Sequence, residues 1–168
     1  MLSIFKRRRA INLLVLGTLL LILSGVRSIA QTTAAPKIFA QKLVEEALAA
    51  HPELMGLEIA AAPPGKAQCV TIASNEIKGI GEKCDKDEFI AMKTNKPFVE
   101  KEKESGKEVY DVTVAIHDIN GKIIGTAGID FKPRAGQTGA EVTQRSLQIA
   151  KELESQLRSK KQLFELIS

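Results

Sequence analysis

Residues Tyr110 to Asp130 form two runs of alternating apolar and polar residues that meet at Asn120-Gly121. Asn-Gly between alternating runs is the strongest short-range hairpin signal, because both residues tolerate positive φ. A two-residue turn there pairs Tyr110, Val112, Val114 and Ile116 with Phe131, Ile129, Ala127 and Gly125 on one apolar face. The opposite face carries Asp111, Thr113, Ala115 and His117 beside Asp130, Gly128, Thr126 and Ile124, and is small and polar. The oily side must be covered by helix. The other side has room for a ligand, with Thr and Asp as directional hydrogen-bonding groups. A type I turn with a glycine bulge over Asp118 to Lys122 is the competing loop, and the clean separation of faces favours the two-residue turn.

The N-terminus has the three parts of a secretory signal. Lys6-Arg7-Arg8-Arg9 is a basic start, Ala10 to Val26 is apolar, and Ser28-Ile29-Ala30 supplies small residues before Gln31. Residues 1–30 are read as a cleaved signal peptide and 31–36 as a flexible leader. The location implied is periplasmic or secreted. An uncleaved signal would instead anchor the domain outside the membrane, the one membrane association expected. Without the five basic residues of the signal, 19 basic side chains face 20 acidic ones, a net charge of −1. No basic patch is left for nucleic acid.

Cys69 and Cys84 are the only cysteines, and both lie in the exported part. An even count in an oxidising compartment favours a disulfide, with two unpaired buried thiols as the alternative. C-x-x-C spacing is missing, so redox and metal roles are not expected.

Helical spacing of Leu43, Val44, Ala47 and Leu48 predicts a helix from Lys37 to Ala50, stopped by His51-Pro52. Strands are expected at Leu57 to Ala62 and Ala67 to Ser74, with a loop to Lys83. Asp85-x-x-Glu88 reads as a capping box for a helix that ends at Thr94-Asn95. A third strand at Pro97 to Glu102 leads through Ser105-Gly106-Lys107 into hairpin strands at Glu108 to Asp118 and Lys122 to Lys132. Thr138-x-x-Glu141 opens a last helix to about Arg158. Residues 37–158 make one domain. The segment 159–168 is too apolar for a plain tail, with Leu163, Phe164, Leu166 and Ile167, and would dock on the domain or meet a protein partner.

Several stretches resemble the Cache/PAS-like extracytoplasmic sensor domains. Val70-Thr-Ile-Ala-Ser74 followed by Ile77-Lys-Gly-Ile-Gly81 is similar to their second strand and the loop after it. Ala91 to Val99 is similar to their passage from helix to third strand, and Asp118 to Gly125 to their hairpin. The resemblance runs from about Lys37 to Lys132. It implies an α+β fold, a profilin-like antiparallel sheet of about five strands with N-terminal and C-terminal helices packed on it. It also implies binding of a small metabolite, such as a carboxylate, an amino acid or an amine, on the sheet face under the loop from Ser74 to Lys96. Relatives are joined to a signalling module through a second membrane helix. Neither is seen here, so a free-standing module is expected.

The ligand-binding candidates are Ser74 and Asn75 from the covering loop, with Asp111, Thr113, Thr126 and Asp130 from the hairpin. Asp111 and Asp130 are directly opposed in this register and repel unless a cation, a ligand amine or a shared proton relieves them. The plainer reading places both in water at the open end of the hairpin. His51 reads as a helix-end cap, His117 and the Asp85 to Glu88 helix start as solvated. No catalytic constellation, metal site or cofactor motif is visible. The expectation is an exported, non-catalytic small-molecule-binding module. The alternative is a structural or interaction module with its sheet face filled.

Overall fold

The computed structural model describes residues 37–104 and 107–167, without the side chains of residues 102–108. The expected signal, the leader and the turn at Ser105-Gly106 lie outside the described residues. Among those described, no helix is long and apolar enough to cross a membrane.

The described residues form seven strands and three helices in the order β1 (Lys37–Ile38), α1 (Phe39–Ala50), β2 (Leu54–Ala61), β3 (Val70–Ser74), α2 (Lys86–Thr94), β4 (Phe98–Glu104), β5 (Lys107–His117), β6 (Ile123–Phe131), α3 (Gly139–Glu154) and β7 (Leu166–Ile167). Short 3-10 turns sit at Ile77–Gly79 and Lys160–Phe164. Five strands form one antiparallel sheet in the order β3-β2-β6-β5-β4. This is the α+β, PAS-like arrangement of about five antiparallel strands with flanking helices that the resemblance implies.

The hairpin register is the expected one: Tyr110 pairs with Phe131, Asp111 with Asp130 and Ile116 with Gly125. The turn is not the expected one. The Gly121 amide donates to the Asp118 carbonyl and the Asp118 amide to the Lys122 carbonyl, with Gly121 at φ +74°. Asn120 does not take positive φ, so the loop is a type I turn closed by a glycine bulge. That turn alone would shift the pairing by one residue. A second irregularity between Ile116 and His117, where His117 pairs with Ile123, restores the register and keeps the faces separate.

The apolar face of the hairpin packs under α1 and α3. Val112, Val114, Ile116, Ala127 and Ile129 share a core with Leu43 and Val44 of α1 and with Val142, Ile149 and Leu153 of α3. A fully buried Leu or Ile stabilises the fold by about 1.5–3 kcal/mol relative to exposure. The other face is crossed by α2, whose buried Ala91 and partly buried Met92 sit above it, Met92 against Ala60 and the Cys69–Cys84 bridge. The predicted disulfide is formed, with Cα atoms 5.4 Å apart.

Asp85 and Glu88 form the expected capping box, and α2 ends on left-handed Asn95. Only half of the second expected box is present. Thr138 accepts from the Glu141 amide, while the Glu141 side chain turns to Arg134. The first helix starts later than its periodicity suggests, because Lys37 and Ile38 pair with Ile167 and Leu166. The apolar end of the chain is therefore docked, with Leu163 fully buried in the core. The outer edge of β3 is covered by its own loop: the Thr71 amide donates to the Glu82 carbonyl and the Gly81 amide to the Thr71 carbonyl. This protects an otherwise open strand edge.

Candidate functional site

The polar face of the hairpin, β2, the loop after β3 and the start of α2 enclose a cavity of about 170 Å³. Five of the six predicted ligand-binding residues line it: Ser74, Asn75, Asp111, Thr113 and Asp130. The sixth, Thr126, does not. It lies on the same face but is fully buried, and its hydroxyl has no hydrogen-bond partner. Gly128, the next residue on that face, reaches the cavity instead.

Three of the five have structural roles. The Asn75 side chain accepts from the Leu57 amide at 2.9 Å and donates to the Met55 carbonyl at 3.3 Å, bracing the loop on β2. Ser74 Oγ accepts from the Glu76 amide at 3.0 Å. Thr113 donates to Asp87 Oδ2 and so ties β5 to α2.

Asp111 and Asp130 are opposed, but they are not in open water. They are partly buried in the cavity wall, so the plainer reading fails. Sequence reasoning missed Glu58, which pairs with Gly128 in the sheet. The missing side chain at Gly128 lets Glu58 lie across it, and a β-carbon there would stand 3.3 Å from Glu58 Oε1. Asp130 covers Gly56 in the same way. The signal that would have found Glu58 is its position as the one acidic residue in the otherwise apolar run Leu57 to Ala61.

Glu58, Glu76, Glu82, Asp87, Asp111 and Asp130 all line the cavity, and no Lys or Arg does among the described residues. Burial, then Asp130 and Asp87, push Glu58 up to about 7. Burial and the same neighbours push Asp111 up to about 7 as well. Glu88, beside the cavity on α2, is also raised to about 7 by burial, against the pull of the Asp85 amide. Burial opposes ionisation of Asp87, but hydrogen bonds with Asp85 and Thr113 hold it below the ordinary range. The site is a small acidic pocket in which burial and neighbouring carboxylates raise Glu58 and Asp111 while Asp87 is held low. Oxygens of Asp85, Asp87 and Glu88 lie within 4.8 Å of one another, yet the capping box already engages Asp85 and Glu88. That helix start is not simply solvated, because Glu88 is buried.

A larger groove of about 740 Å³ runs beside the first half of α3. Its charges are engaged: Arg134 pairs with Glu141, Arg145 with Glu53 at 2.8 Å, and Lys132 donates to the Pro52 carbonyl at 2.6 Å. His51 is buried, and its Nε2 lies 2.6 Å from Glu152, so the ring joins α1 to α3 while its backbone ends α1. His117 is not solvated. Its ring lies between Glu154 and Asn95.

No protein-family model matches this chain, and no curated protein matches it. Among solved structures, the second GAF domain of DevS from Mycobacterium smegmatis aligns at 11% identity with a TM-score of 0.48. The alignment covers 70% of this chain and 91% of that domain.

Proposed function

We propose that this chain is an exported, non-catalytic module of the Cache/PAS-like kind that binds a small cationic metabolite, a primary amine or guanidinium head, in the acidic cavity. The observation that carries the reading is the lining: six carboxylates and no basic side chain among the described residues. Asp111 and Asp130 would take the positive head with Glu58, while Thr113 and the loop at Ser74 and Asn75 shape the wall. A cavity of about 170 Å³ is below the roughly 300–1,000 Å³ of drug-sized sites, which favours a compact head group. An anionic carboxylate ligand would add like charge to a site lined by six carboxylates, so the amine is preferred among the metabolites expected from the sequence. The bridged cysteines and the signal-like N-terminus support a location outside the cytoplasm.

Thermal unfolding of the domain with a diamine, an amino acid, a dicarboxylate or calcium chloride tests this. A diamine at a hundred times its dissociation constant adds about 2.7 kcal/mol of stability, read as a higher Tm. Glu58→Gln and Asp111→Asn should abolish that rise. Failure of every amine at millimolar concentration, with or without a calcium effect, would refute the cationic-metabolite reading.

A further inference from the structure

The imidazole of His117 presents both nitrogens to oxygen acceptors on two different helices. Nδ1 is 2.5 Å from Glu154 Oε1 in the last turn of α3, and Nε2 is 2.9 Å from Asn95 Oδ1 at the end of α2. The same Glu154 oxygen accepts the His117 backbone amide at 2.9 Å, which fixes the carboxylate in place. A neutral imidazole has one N–H donor and an imidazolium has two. Only the doubly protonated ring satisfies both contacts as they stand. Glu154 is the charged group that α3 turns to the ring, and α2 offers the uncharged Asn95 amide. The neighbouring Asp118 directs its carboxylate to the Asn120 and Lys122 amides.

We propose that His117 is a proton-operated latch: the doubly protonated ring holds the end of α2 to α3, and loss of the Nε2 proton releases Asn95. Glu154 is doubly anchored, so Nδ1 keeps its proton and Nε2 is the nitrogen that loses one. With its lone pair facing Asn95 Oδ1, Nε2 then repels the oxygen it had held. Few apolar anchors hold α2, since its buried residues are Glu88 and Ala91, so this contact carries weight in placing it. Asp87, near the other end of α2, lines the acidic cavity. Loosening the helix would therefore loosen that wall. Only this last consequence rests on the ligand-binding reading, and the latch is tested without any ligand.

Nitrogen-detected NMR of the His117 ring from about pH 5 to about pH 8 counts its protons, and amide exchange at residues 93–96 reports the end of α2. Expected are two protonated nitrogens at the acid end and one, at Nδ1, at the alkaline end. Protection at residues 93–96, corrected for intrinsic exchange, should fall about fivefold between them, the effect of one lost hydrogen bond. Glu88 in the first turn of α2 is raised to about 7, inside the same range, so the comparison is made with His117→Gln, in which that fall should vanish. A wild-type ring with a single proton throughout, its Nε2 accepting from a reversed Asn95 amide, would overturn the latch. So would an unchanged pH response in His117→Gln.

Discussion

Glu58 lies across Gly128, its Cγ 3.0 Å from where a β-carbon would stand. The absent side chain on β6 gives a carboxylate on β2 its seat in the cavity. Gly128→Ala should displace Glu58 by a few tenths of an ångström, change stability by less than about 1 kcal/mol and weaken amine binding. Gly125→Ala is the contrast, because its β-carbon would overlap the Ala60 backbone carbonyl. Backbone cannot swing away, so that variant should lose about 1–3 kcal/mol. Chemical denaturation of both variants, with calorimetric binding for the first, checks the pair.

The raised carboxylates set a pH dependence. Glu58, Asp111 and Glu88 stand near about 7 in the folded chain, above their ordinary values of 4.5, 3.8 and 4.5. Between those limits the folded chain binds more protons than the unfolded one, so raising pH favours unfolding. Tm should be highest near the acid end of this window, fall through it and level off above it. Glu45, Glu53 and Asp87 are lowered, so their opposite slope lies below the ordinary carboxylate range. Melting curves across the window, repeated for Glu58→Gln and Asp111→Asn, should show a shallower fall in each variant.

The Cys69–Cys84 bridge closes a loop with a sequence separation of 15 that holds β3 and much of the cavity wall. The chain-entropy model assigns such a closure about 3 kcal/mol. The Cys69→Ser, Cys84→Ser double variant should lose stability of that order, measured by urea unfolding. Reductant should lower wild-type stability and leave the variant unaffected.

Leu163 is fully buried in the main core, although it lies close to the end of the chain. Leu163→Ala should cost about 2–5 kcal/mol through lost burial and the cavity left behind. Leu166 is 70% exposed, and Leu166→Ala should stay within about 0.5 kcal/mol. Equal and small losses in the two variants would show that the tail does not dock.

Much of the fold was legible in local sequence. Alternation placed the hairpin faces, Asp85-x-x-Glu88 placed the start of α2, and Asn95 its end, because these signals act within a few residues. The site was half legible. Hairpin alternation put Asp111, Thr113 and Asp130 on one face, but Glu58 comes from a strand far away in sequence. Its place beside Gly128 depends on β2 pairing with β6.

The amino-acid order by itself determined which side of the central hairpin is oily and where the second helix begins and ends, since periodicity and capping are short-range. Only the tertiary structure decided the late start of α1 and the gathering of six carboxylates around one cavity. Each of these turns on partners brought together by long-range strand pairing, which local propensity does not encode.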